Sequence, residues 1–470
     1  MGSTAIVWLR SDLRLHDHPA LAAAAQAHDR VVPLFAVDER LMGAGRLRSG
    51  PREAFLRACL RDLDGGLRER GAALVVRTGR PEDVLPELAE QVGAAEVLWT
   101  SDVSPFARRR DRAVTAALDA AGIPAVPHSG TYCADVSLPR TKAGRPFTVF
   151  TPFWRAQRDL PRRAVLDAPA RLLLPDGLDP GVLPAGPALD DELPAPFCAP
   201  GETAGRAALT AWLDGPVDAY GERHDDLTGG SSGLSPYLRF GCLSAREIEQ
   251  RAIDRGGDGA AAFVRQLAWR DFYAHVLLLH PDNTHLEFQP RYRELAWDED
   301  QELLEAWAAG RTGYPLVDAG MRQLAATGWM HNRARMVAGS FLTKDLHLDW
   351  RAGEAWFARM LLDGEPAQNN GNWQWIASTG VDPAPYFRRI FNPILQQEKF
   401  DPDGVYVRRW VPELRDVPAA RLPRPWTMTA AEQEAAGCVI GRDYPGPVVD
   451  HAAERLVTME RYRAVAPSAG

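Results

Sequence analysis

The chain has 470 residues, 46% of them hydrophobic and 25% charged, a globular composition with length for two or three domains, which excludes wholesale disorder. Its formal charge of −8, from 62 acids against 54 bases, excludes non-specific coating of DNA or membrane but leaves room for a local basic cleft. Only three bases are lysines (Lys142, Lys344 and Lys399), so an arginine cluster carries little weight by itself. The five cysteines, Cys59, Cys133, Cys198, Cys242 and Cys438, are widely spaced and form no CxxC pair. That pattern predicts neither a disulfide framework nor a metal site, and fits a reducing compartment. Arg10, Asp12, Arg14 and Asp17 break any signal-peptide core, and no charge-free stretch is long enough to span a bilayer. A cytoplasmic, monomeric protein without membrane contact is expected.

Along the first 130 residues, short apolar runs at 5–9, 31–37, 73–77, 96–100 and 124–128 alternate with amphipathic stretches. In 52–67, for example, Phe55, Leu56, Leu60, Leu63 and Leu67 repeat at helical spacing. Such alternation predicts an α/β domain over 1–130, a parallel, Rossmann-like sheet with helices on both faces. No GxGxxG follows the first strand, so a standard NAD site is not expected. Nine prolines fall within 161–200, and 131–200 reads as an irregular connector wrapped over the surface. From 201 to 470 the strand patterns disappear and long helical ones follow, at 260–279, 303–309, 317–326 and 332–346. This half is predicted to be all-α, and it holds nine of the fourteen tryptophans between Trp269 and Trp410.

The α half contains six unusual strings: Ser231-Ser-Gly-Leu-Ser-Pro-Tyr-Leu-Arg-Phe-Gly241, Trp269-Arg-Asp-Phe-Tyr273, Gly328-Trp-Met-His-Asn-Arg-Ala-Arg-Met336, Asp363-Gly-Glu, Asn369-Asn-Gly-Asn-Trp-Gln-Trp375 and Tyr386-Phe-Arg-Arg-Ile-Phe-Asn-Pro393. The serine-rich loop has the amides and hydroxyls to cradle a diphosphate, or simply to cap a helix. Helical spacing sets Asn332 and Met336 on one face, with Arg333 one step round. In this order, behind an α/β domain, the strings resemble the photolyase/cryptochrome family, most closely class I cyclobutane pyrimidine dimer photolyases. The resemblance runs from about residue 6 to the low 400s.

That resemblance implies a site residue by residue. Tyr220 and the loop Ser231, Ser232, Gly233, Leu234 and Ser235 would bind the FAD pyrophosphate, although Arg223-His224-Asp225 departs from the family's Arg-Asp and leaves the register open. Asp363, Gly364 and Glu365 would lie near the flavin, with Arg335 paired to Asp363 and Asn369 beside flavin N5. Asn332 and Met336 would contact the bases of a flipped lesion and Arg333 a phosphate; the histidines of six-four photolyases are absent from these positions. Trp269 and Trp375 would wall the lesion pocket by stacking. Either Arg388 or Arg389 would hold a phosphate, and Gln396 would touch the DNA backbone. Trp373, Trp350 and Trp297 match the family's electron relay. Gln266 departs from the Glu usual in dimer repair: its amide donates to a carbonyl but supplies neither proton nor charge. The implied function is light-driven repair of pyrimidine dimers in DNA by reduced, non-covalent FAD. The alternative is a cryptochrome-like blue-light photoreceptor. The segment Asp102-Val-Ser-Pro-Phe-Ala-Arg-Arg-Arg-Asp111 further suggests an antenna chromophore, deazaflavin or methenyltetrahydrofolate, on the N-terminal domain.

Overall fold

The computed structural model describes residues 2–42, 48–382 and 384–465. Five strands, β1 (Thr4–Leu9), β2 (Arg30–Val37), β3 (Val75–Thr78), β4 (Ala94–Thr100) and β5 (Ala125–His128), form one parallel sheet in the order β3-β2-β1-β4-β5. β1 is central, with Trp8 in register with Leu34 on one side and Trp99 on the other. All its residues are buried, which is why it reads as an unbroken apolar run: helices or other layers cover both faces. Alternation still decides which face each side chain serves. Ile6 and Trp8 pack with Leu34, Leu85, Trp99 and Leu118. Ala5, Val7 and Leu9 belong instead to a core that continues through Phe55 and Leu60 to Tyr237, Phe240 and Phe263 of the helical half. The sheet is therefore docked onto that half through one shared core.

Two further contacts fix the docking. The Gly50–Arg68 helix starts where Ser49 Oγ accepts the Arg52 amide at 3.2 Å, and it buries Phe55, Cys59, Leu60, Leu63 and Leu67. Just past β1, Leu13 N donates to Phe240 O (3.1 Å) and buried Arg14 donates to Gly241 O (3.0 Å). From 129 to 200 the chain forms only the helices Phe150–Arg158 and Leu189–Glu192 among the described residues. It is strapped down by backbone bonds. Val31 N donates to Leu173 O and Val76 N to Pro180 O (2.9 and 2.7 Å), while Ala195 and Phe197 donate to Ala326 and Thr327 (3.0 and 3.1 Å). The proline-rich stretch thus serves both halves with the polar groups that proline leaves it.

Beyond residue 201 the described residues contain helices and two isolated bridges, Asp298–Leu348 and Ile440–Tyr444. The long Asp258–Leu279 helix crosses Pro366–Ala377 so closely that a Cβ on Gly371 would lie 2.1 Å from Tyr273 Cδ1. Only glycine permits that approach. The helical pattern at 332–346 is α only over Asn332–Ser340; Phe341–Asp345 is a π turn. Its wider winding accommodates buried Lys344, whose Nζ donates to Ala377 O at 2.9 Å. Five hydrogen-bonded residues in the wrong register leave hydrophobic periodicity nearly unchanged, so the sequence pattern does not reveal the switch.

Candidate cofactor and DNA site

The serine loop is built by local turns. Gly233 N and Leu234 N point at Ser231 Oγ and Ser232 Oγ (3.4 Å each), and Gly233 takes φ 64°, a left-handed conformation natural to glycine. The short Ser235–Phe240 helix that follows has no side-chain cap, so the hydroxyls are not spent as an N-cap. Ser235 Oγ instead donates to Asp363 Oδ2 (2.6 Å) and accepts from Trp329 Nε1 (3.3 Å). Arg335 Nη2 donates to the same Asp363 oxygen at 2.8 Å, and its Nε is held by Met330 O. Asp363 Oδ1 is buried and has no partner. Behind this pair, Arg239 Nε donates to Gly364 O (3.0 Å). Burial, with Arg239 beside it, brings Arg52 down to about 9 against the pull of Asp363. Arg52 comes from the N-terminal α/β half, which sequence reasoning did not connect to this site.

Tyr220 packs edge-on against Trp212 and Phe263, and burial raises its hydroxyl to about 12. In the loop after it, the two neighbouring acids take different partners. Asp225 takes Arg333 in a two-point ion pair (2.6 and 3.2 Å), while Asp226 takes Arg223 (2.6 Å) and Thr228. Arg333 also lies over the Phe400 ring at 4.3 Å.

The Pro366–Ala377 helix supplies one wall of a cavity with an empty volume of about 580 Å³. Glu365 caps it by accepting the Gln368 amide (2.8 Å). Asn369, Trp373 and Trp375 line the cavity from this helix, Asn332, Arg335 and Met336 from the Asn332–Ser340 helix, and Asp363, Gly364 and Glu365 from the turn between. Asn332 Nδ2 reaches Met336 Sδ at 3.6 Å, the i,i+4 contact its spacing implies. Asn369 Nδ2 donates to Glu354 O (2.9 Å), which leaves its carbonyl oxygen as the free end of the amide.

The three predicted relay tryptophans differ in exposure. Trp373 is buried with no partner for Nε1; Trp350 is completely buried, with Nε1 donating to Glu287 (3.2 Å); Trp297 is partly exposed beside the Asp298–Leu348 bridge. Trp307, which sequence reasoning passed over, is buried 6.2 Å from Trp373, with Phe357 5.0 Å from the same ring.

Other predicted residues lie outside the cavity lining. Gln266 is exposed on the Asp258–Leu279 helix, one turn before Trp269. Trp269 stacks on Phe150 of the connector at 3.8 Å and 8°. Arg388 is exposed, whereas Arg389 is buried, pairing with Asp382 (2.5 Å) and lying 4.3 Å over the Trp375 ring. Gln396 is half-buried with Oε1 unpartnered.

Comparison with known proteins matches residues 5–170 to the DNA photolyase family model and 263–464 to the FAD binding domain of DNA photolyase. A deoxyribodipyrimidine photo-lyase of Streptomyces griseus is 44% identical over 98% of this chain and 100% of its own. The chain belongs to the DNA photolyase family. Among solved photolyases, a class III enzyme from Agrobacterium tumefaciens superposes with a TM-score of 0.90 at 36% identity, covering 99% of this chain and 98% of that one. An archaeal photolyase from Sulfolobus tokodaii, described with two FAD molecules, superposes with a TM-score of 0.84 at 31% identity, over 98% of this chain and 100% of its own.

Residues 263–464 of the helical half thus match the FAD-binding domain of DNA photolyase, and the residues of the site fit that cofactor. A buried carboxylate oxygen without a partner, Asp363 Oδ1, calls for an N–H or O–H donor, which flavin and ribityl groups supply. Arg335 and Arg239 bring positive charge beside it. Helical spacing from Asn369 could have found Asn372 and Ile376, three and seven residues on, which line the same wall. No sequence signal reaches Arg52 or Phe150, because each is brought in by a different segment of the chain. Among the described residues, no helix is long and apolar enough to cross a membrane.

Proposed function

We propose that this chain is a deoxyribodipyrimidine photo-lyase that splits cyclobutane pyrimidine dimers in DNA with light. The observation that carries the reading is one cavity shared by two kinds of residue: Asp363, Arg335 and Asn369, suited to a flavin, and Asn332, Met336 and Trp375, suited to a flipped pyrimidine dimer. With no protein wall between them, donor and dimer can meet directly. Bound and reduced, FAD would supply the photochemistry, a light-driven one-electron donation to the dimer with no net redox change. The chain's own residues do the rest. Arg335, fixed by Asp363 and Met330 O, favours negative charge on the cofactor. Asn369 offers an acceptor oxygen, because its NH₂ is committed to Glu354 O. Tyr220 and Ser231–Ser235 hold the pyrophosphate end. Asn332 and Met336 hold the bases, Trp269 and Trp375 stack on the lesion, and Gln266 donates to a pyrimidine carbonyl. Arg388, exposed, and Gln396 take the DNA backbone, while Trp373, Trp350 and Trp297 carry electrons inward.

We assign the antenna domain to 1–130, the connector to 131–200 and the FAD- and DNA-binding domain to 201–470. A second chromophore on the antenna domain is in keeping with the archaeal relative, described with two FAD molecules; we take it to be a deazaflavin or methenyltetrahydrofolate, which the absorption spectrum of the purified protein distinguishes. The decisive experiment is repair of a thymine-dimer oligonucleotide by the flavin-reduced protein. Dimer loss in blue light and none in the dark is expected. Bound reduced flavin without repair would favour the other reading, a blue-light receptor, to which Gln266 already points.

A further inference from the structure

We propose that Asp382 and Arg389 are positioning residues that clamp the indole of Trp375 as a one-sided stacking surface for the lesion. The inference rests on the reading of Trp375 as a lesion contact. One oxygen, Asp382 Oδ2, accepts both Trp375 Nε1 (3.0 Å) and Arg389 Nη2 (2.5 Å). Arg389 Nη1 donates to Trp375 O (3.0 Å), and its guanidinium carbon lies 4.3 Å from the centre of the indole. The indole is therefore held at its ring nitrogen, its backbone and one face. Arg389 is only 2% exposed and does not line the cavity, whereas Trp375 does. The cation thus covers the face turned from the cavity, and a base can use only the other. A planar guanidinium suits this task, since it stacks and donates in fixed directions at once.

The clamp also joins the two walls of the site. Ser340 Oγ, at the end of the helix bearing Asn332 and Met336, donates to Arg389 O (3.0 Å) and accepts from Phe391 N (3.0 Å). On the facing wall, Arg389 and Lys344 serve carbonyls in the last turn of Pro366–Ala377, where cations are favoured. The doubled arginine thereby divides its work: Arg388 is exposed to meet DNA, and Arg389 sets the surface that reads it.

The test compares affinity for a thymine-dimer oligonucleotide with that for the same undamaged sequence, across Arg389→Gln, Trp375→Ala and the double variant. Flavin content and photoreduction rate report folding. Arg389→Gln is expected to lower the damaged-to-undamaged ratio by roughly five- to tenfold, within the range of base–aromatic stacking, with undamaged binding unchanged. In the Trp375→Ala background it should lower the ratio no further, the non-additivity of residues acting through one another. If Arg389→Gln loses its flavin, Asp382→Asn carries the same comparison, because it keeps the shape and an acceptor for Nε1. Loss that adds in full to Trp375→Ala, an unchanged ratio in a folded variant, or loss confined to undamaged DNA would each overturn the clamp. An unchanged ratio in Trp375→Ala alone would overturn the stacking reading itself, and the clamp with it.

Discussion

Arg333 is engaged in the resting protein, 2.6 Å from Asp225 and over the Phe400 ring. A phosphate would therefore have to displace a carboxylate to reach it. Asp225→Asn should strengthen binding to damaged and undamaged DNA alike, by roughly three- to tenfold, and steepen the salt dependence by about one counterion. Equilibrium titrations over a range of salt concentrations check this; weaker binding would show that the pair orders the site. At Gln266 the argument concerns charge. A carboxyl there can hold lesion carbonyls and buffer charge, whereas an amide only donates, and a charge-competent hydrogen bond is worth on the order of 1.5–3 kcal/mol, roughly ten- to a hundredfold in the affected step. Gln266→Glu should raise repair per absorbed photon with little change in flavin content or ground-state DNA affinity. The side chain is exposed beside Trp269, so the substitution adds no buried charge.

The Pro366–Ala377 helix carries the chemistry of two faces. Its inner positions line the cavity, and Trp373 continues outward through a packed aromatic layer toward the Trp350–Met360 helix. That layer is tight: a Cβ on Gly353, three residues after Trp350, would fall 2.1 Å from Trp373 Cη2. An electron relay needs an oxidisable indole in close packing of this kind, and phenylalanine fills most of the space without that ring. Trp373→Phe should abolish photoreduction of oxidised flavin in the presence of reductant, yet leave repair intact once the flavin is reduced chemically. Photoreduction at the parent rate would mean that electrons enter by another route.

At the scale of the molecule, the connector and the helical half meet at Asp271. Its Oδ2 accepts Cys133 N (3.0 Å) and Gln157 Nε2 (2.5 Å), and Oδ1 has no partner. Burial raises this carboxyl to about 7, against the opposing pull of Arg270. A carboxyl with a folded pKa near 7 and an unfolded value of 3.8 holds its proton more tightly in the native state. Its contribution to stability is complete below the unfolded value and is lost as pH rises from about 4 through about 7. Asp271→Asn should remove that slope: the variant's thermal midpoint should change less than the parent's between pH 5 and pH 8, roughly the window of native-state titration. Identical pH profiles would show that Asp271 is ionised throughout in the folded protein.

The sequence by itself determined the architecture and the roster of polar and aromatic groups. Apolar runs at 5–9 and 96–100 become β1 and β4 because a strand buried on both faces needs continuous hydrophobicity, a purely local signal. Spacing likewise sets Asn332 and Met336 side by side, since i and i+4 share a helical face. Only tertiary structure decided what each group does with its neighbours. The choice between Arg388 and Arg389 depends on which one meets Asp382 and Trp375, and adjacent identical residues carry no sequence mark of that difference. Arg52, far away in the chain, approaches Asp363 because the sheet docks on the helical half. Phe150 covers Trp269 because the Phe150–Arg158 helix packs against the Asp258–Leu279 helix there. The last two contacts join chain segments more than a hundred residues apart, whose meeting is fixed by the packing of whole layers and leaves no periodicity in the sequence.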